Sequence, residues 1–213
     1  RLTVGAQGED RMTRGAARLS RSSASPLWRA SYARSTDRFS GLARFLGANP
    51  QTLEAVLAGQ RSRADRDLRQ DLVLGWVLNL MARYQLATES DEDDWLVIDE
   101  GFYQRGVALF SHGFVPLDLP LLNAYLDSIP QPEALVVVDT PLPVCEQRLE
   151  RRGWSERVRH LPIEGRRSFL ADAAAATKAI TDRLQTSGQG LIWVDGTTPV
   201  EDSLQTVAAT LRS

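Results

Sequence analysis

Two carboxylates, Asp99 and Glu100, close a short apolar run in "DDWLVIDEGFYQRG" (residues 93–106), and Gly101 follows at once. A carboxylate fixed at a strand end can hold Mg²⁺, usually through water, beside a phosphate in transfer. A second carboxylate next to it can accept the proton of an attacking hydroxyl. The same residues would equally serve as a solvated turn, and the motif alone is too short to separate the two. Arg105, one turn further on, could reach an acceptor or a phosphate, or simply sit solvated on a helix.

A second stretch, "VVVDTPLPVCEQRLERRGWSERVR" (136–159), gathers Arg148, Arg151, Arg152, Arg157 and Arg159. Guanidinium forks match phosphate oxygens, so this run, interrupted by Gly153, suits a clamp over phosphates. Its plainer reading is a helix face paired with Glu146, Glu150 and Glu156. Arg148 and Arg152, one turn apart on a shared face, are the stronger candidates. The third stretch, "GLIWVDGTTPVEDSLQTVAATL" (190–211), is a strand, a Gly-Thr-Thr turn and a helix, an arrangement common in α/β proteins. His112 and His160 lack ligand spacing, so no zinc-type site is expected. Cys145 reads as a small core residue, and Trp95 and Trp193 as packing.

The elements that must position these groups are legible to different degrees. "WLVID" (95–99), "ALVVVD" (134–139) and "GLIWVD" (190–195) are continuous apolar runs, each ending in aspartate. Runs without alternation suit strands covered on both faces, as in a parallel sheet. Helices are expected over roughly 101–128, broken near Pro116, then over 142–152, 166–186 and from Pro199 to the end. Upstream, Leu68, Leu72, Trp76, Leu80 and Tyr84 recur every fourth position and predict a helix over 62–87. "NPQTLEAVLAG" predicts a shorter helix, with Asn49 as its cap and Pro50 in its first turn. The first 40 or so residues are rich in arginine and serine and are read as a short strand, "RLTV", followed by helices and loops.

Bulk properties narrow the class. The 213 residues are 43% hydrophobic, enough to bury a core. A net charge of -2 argues against a dedicated nucleic-acid surface. No apolar run approaches the roughly 20 residues of a membrane span, and no export leader is evident. The single cysteine excludes an internal disulfide. A cytoplasmic protein is expected, without nucleic-acid or membrane partners. Of 25 basic residues only Lys178 is a lysine, so chemistry needing an ammonium has one candidate.

"WLVIDEG" resembles the Walker B element of P-loop proteins. Taken in order, the three stretches over roughly residues 90–213 resemble P-loop kinases of the nucleoside-monophosphate and thymidylate kinase type. "DEGFYQR" stands where thymidylate kinases carry an Asp-Arg pair. The resemblance implies one α/β domain over 1–213, a three-layer, doubly wound parallel sheet with a helical acceptor lobe at 10–90 and an arginine-rich lid at 153–165. It implies transfer of the γ-phosphoryl group of ATP, with Mg²⁺, to a small nucleoside-like, hydroxyl or phosphate acceptor. Asp99 would anchor the metal and Glu100 would support it or act as base. Arg148 and Arg152, with Arg105, Arg157 and Arg159, would neutralise the migrating charge, and Asp195, Gly196 and Thr197 would line the adenine pocket. The family's phosphate loop, G-x-x-x-x-G-K-[ST], occurs nowhere in the 213 residues. It is expected upstream of Arg1, with "RLTV" as the second strand and phosphoryl transfer reserved for the full-length form. A homodimer is left open. The alternatives are a non-catalytic nucleotide-binding or interaction module on the same fold, or a P-loop NTPase with water as acceptor.

Overall fold

The computed structural model describes residues 35–61, 70–89, 96–111 and 116–211. In chain order they form α1 (Ser35–Ala48), α2 (Pro50–Arg61), α3 (Gln70–Thr88), α4 (Phe102–Phe110), α5 (Leu119–Ser128), β1 (Leu135–Asp139), α6 (Leu142–Arg152), α7 (Ile163–Thr186), β2 (Leu191–Asp195) and α8 (Val200–Thr210). Contacts divide the chain into two compact units. One runs to Leu109 and takes in 123–129; the other holds 110–122 and everything from Pro130.

The first unit is helical. Its core gathers Phe45, Val56, Val73, Val77, Leu80 and Met81, all essentially inaccessible. Phe45 stacks on Phe102 with ring centroids 5.7 Å apart, and Tyr84 meets both rings edge-on. Burying one such ring contributes about 2–3 kcal/mol. The α1–α3 contact is close enough to require glycine at position 41: a Cβ there would stand 2.8 Å from the Ala82 carbonyl oxygen. A two-pronged ion pair from Arg44 to Glu89, both bonds 2.6 Å, ties the same helices at the surface. Asn49 does not cap α2. Its side-chain amide donates backwards to the Phe45 carbonyl at the end of α1 (3.0 Å).

The second unit is built on β1 and β2, which run parallel with Leu135 opposite Leu191 and Asp139 opposite Asp195. α6 and α7 connect them, as parallel strands require a long crossover. α7 packs through Ala176, Ile180 and Leu184. Pro141, Pro162 and Pro199 each stand immediately before a helix, where the missing N–H costs nothing.

The expected three-layer, doubly wound sheet is not what forms. Among the described residues there are eight helices and one two-stranded parallel sheet. The difference turns on "WLVID". Leu96 and Val97 have no regular structure, Ile98 makes an isolated bridge, and Asp99 and Glu100 form a turn. An apolar run becomes a strand only where a neighbour takes its N–H and C=O groups. β1 and β2 have each other, whereas residues 96–99 make only the single bridge at Ile98 among the described residues. "RLTV" lies outside the described residues, as do Leu68, Trp95 and His112.

Candidate functional site

Three groups of predicted residues can be followed from their backbone upward. The first is the turn into α4. Glu100 adopts φ 57°, the left-handed region that side chains other than glycine seldom enter. This conformation lets the Glu100 carboxylate meet its neighbour's guanidinium: Arg105 Nη2 donates to Glu100 Oε2 at 2.8 Å. The Arg105 side chain is only 6% exposed and lies over the Trp76 ring, 5.3 Å from its centroid. Its Nε is buried with no hydrogen-bond partner. Arg105 is thus a buried, paired cation rather than a solvated one. Asp99 alone of the two acids is exposed. Close by, the buried Tyr125 hydroxyl donates to the Phe102 carbonyl at 2.8 Å. Burial pushes the Tyr103 phenol up to about 12 and the Tyr125 phenol higher still.

The second group is the arginine segment, which the structure divides. Arg148 and Arg152 lie on the exposed side of α6, without an ion-pair or hydrogen-bond partner among the described residues. Their acidic neighbour Glu146 is engaged instead by Arg167 of α7 at 2.6 Å. Arg159 is exposed and pairs with Glu156 at 3.2 Å. Arg157 is 2% exposed, donates to the Ser111 carbonyl at 2.8 Å and stacks over Phe169. Burial in that setting lowers its guanidinium to about 10. Its contacts are those of a structural residue.

The third group is the carboxyl edge of the β1–β2 pair. Gly196 N–H donates to the Asp139 carbonyl at 2.6 Å, drawing the two strand ends together. A Cβ at Gly196 would run into the Thr140 hydroxyl and stand 2.9 Å from Val138 Cγ1. Only glycine allows this approach. The Asp195 carboxylate accepts from both the backbone N–H and the hydroxyl of Thr197, each at 2.7 Å. The hydroxyl first, and then the N–H, hold Asp195 below the usual carboxylate range. Asp139 stands in register with Asp195, with Thr140 beside it. It carries no role in the sequence-based expectation, although "VVVD" ends in the same way as "IWVD". Trp76 was expected only as helix packing; its contact with Arg105 could not be read from spacing.

The structure therefore brings Glu100 to Arg105, and Asp195 to Gly196 and Thr197, and it leaves Arg148 and Arg152 on α6 without a partner among the described residues. For Mg²⁺ the turn into α4 offers one exposed carboxylate, Asp99, and the β1–β2 edge two more, Asp139 and Asp195, the last already accepting from Thr197. Among the described residues no three His, Cys, Asp or Glu side chains stand close enough to form a metal cage. That donor set fits an ion carried mainly by a substrate's phosphates and waters, the usual habit of Mg²⁺. Lys178 pairs with Asp182 on α7 at 2.6 Å, so the lone lysine is committed to its own helix. No helix among the described residues is long and apolar enough to cross a membrane. No protein family, curated protein or solved structure matches the chain.

Proposed function

We propose that this chain binds a nucleotide and takes part in phosphoryl transfer from ATP to a small hydroxyl- or phosphate-bearing acceptor. The observation that carries the reading is the carboxyl edge of β1 and β2. There Asp139 and Asp195 stand in register, a glycine-dependent turn follows, and two helices begin directly behind. Ligands of parallel α/β units collect at such edges. Arg148 and Arg152 on α6, unpaired among the described residues, are donors suited to phosphate oxygens. In this reading those arginines add positive charge beside the phosphates. Asp99, in the first unit, is the acid this reading assigns to Mg²⁺. Glu100 is engaged by Arg105 and can act as a base only after that pair opens. A cytoplasmic setting goes with this reading.

Calorimetric titration with Mg·ATP tests it. The chain should bind, and Arg148→Ala with Arg152→Ala should weaken binding at least about tenfold, since each charged hydrogen bond is worth about 1.5–3 kcal/mol. With the full-length protein, labelled γ-phosphate should then pass to a member of an acceptor panel, and Asp99→Ala should abolish that transfer. Binding without transfer would leave a non-catalytic nucleotide module, which the committed Glu100 carboxylate favours as the second reading. Absence of Mg·ATP binding at millimolar concentration would overturn both.

A further inference from the structure

Among the described residues, the β1–β2 pair leaves one edge open in a form that suits self-association. Leu135 N–H donates to the Gly190 carbonyl (3.1 Å) at one end of β1, and the Asp139 carbonyl accepts from Gly196 N–H at the other. With the register between the strands, that parity turns the N–H and C=O groups of Leu135, Val137 and Asp139 toward β2. The same groups of Val136 and Val138 point outward. Nothing among the described residues takes them. The two side chains are exposed as well, Val136 at 42% and Val138 at 63%. β1 carries no lysine, proline or bulge, the usual protections of a free edge.

We propose that β1 is a dimerisation edge, pairing antiparallel with β1 of a second copy about a two-fold axis through Val137. In that register Val136 of each chain faces Val138 of the other, and Val137 faces Val137. Each Val136–Val138 pair exchanges both N–H···O bonds, so the outward groups of both strands are all used. The four exposed valine side chains meet as cross-strand β-branched neighbours, a favourable pairing. Charge agrees with this register: Asp139 lies opposite Leu135, and the two Asp139 carboxylates are kept roughly 14 Å apart along the strands at about 3.4 Å per residue. The contact is isologous, so it closes at two copies and does not propagate. The outer edge of β2 is less suited, because the Asp195 carbonyl is already taken by the Thr198 N–H and hydroxyl. Strand pairing alone covers less than the about 1,200 Å² of a standard interface, so the dimer is expected to depend on concentration.

Sedimentation velocity over about two decades of protein concentration is the test, with two variants. Val136→Pro removes an outward N–H without touching a β1–β2 bond, and proline is tolerated on edge strands. Val138→Lys places a charge on the edge. The wild-type chain should move from monomer to dimer, and both variants should associate at least about tenfold more weakly. Their Val137 and Asp139 amides, which bond to β2, should remain protected from hydrogen exchange. Should Val136→Pro unfold, Val138→Lys decides. Should both unfold, the wild-type amides of Val136 and Val138 decide, since they must gain protection as concentration rises. A wild-type monomer at every concentration would overturn the proposal, as would a dimer unchanged in both variants. So would a monomer with protected Val136 and Val138 amides, because another segment of the chain would then occupy the edge.

Discussion

"VIDEG" and "WVDG" look like the same device, an apolar run closed by aspartate and glycine, yet they end in different structures. At Asp195 the run is a strand, its partner holds it, and Gly196 is pressed against the neighbouring strand end. At Asp99 the run has almost no ladder, and the chain turns on Glu100 in a left-handed conformation with Gly101 in ordinary surroundings. The glycine is indispensable in one case and nearly idle in the other. The acids differ likewise: Asp195 is spent on its own turn, whereas Glu100 is spent on a buried arginine. Similar strings therefore acquire their roles from whatever backbone lies alongside.

The largest effect that would test this contrast concerns the buried cation. Arg105→Ala removes the guanidinium that donates to Glu100, and breaking a buried pair costs about 3–5 kcal/mol. Glu100 keeps some water contact, so chemical denaturation should show a loss near about 3 kcal/mol. An unchanged midpoint would mean that the left-handed turn, not the ion pair, organises this corner. Next come the two glycines. Gly196→Ala should lower stability by about 1–3 kcal/mol through overpacking against Thr140 and Val138. Gly101→Ala meets only Ile98, at 3.5 Å, and should stay within about 0.5 kcal/mol. Equal losses would erase the distinction between the two turns.

The smallest effect is electrostatic. The Asp195 carboxyl titrates below its ordinary range because Thr197 donates to the charged form. The stabilisation is therefore present above the unfolded carboxyl's pKa and is lost as pH falls through the folded one. Thr197→Val removes the hydroxyl donor and keeps the backbone N–H. Carboxyl carbon titration by NMR should then find Asp195 shifted upward, toward the usual aspartate value. A fixed titration point would assign the effect to the backbone alone.

Much of the second unit was legible in the sequence. Runs ending at Asp139 and Asp195 became β1 and β2, and the helix expected over 142–152 is α6 to the residue. Proline placed the starts of α6 and α8, because its fixed φ and missing N–H act within one residue. The layered sheet was not legible, because continuous apolar residues report burial without naming a partner. The arginine cluster was legible as a cluster, but its division was not. Arg157 and Arg159 are two residues apart; one is buried over Phe169 and the other is exposed.

By itself the sequence determined the local grammar: which segments turn as helices, where they start, which stretches are apolar enough to be covered, and where acids and arginines concentrate. These follow from side-chain shape and backbone restriction over a few residues. Tertiary structure alone decided that "LVVVD" pairs with "LIWVD" while residues 96–99 make a single bridge at Ile98, that Arg105 lies over Trp76, and that Gly196 can be nothing larger. Each of those depends on a group distant in sequence supplying a hydrogen bond, a ring face or a steric limit, and local pattern carries no record of which distant group arrives.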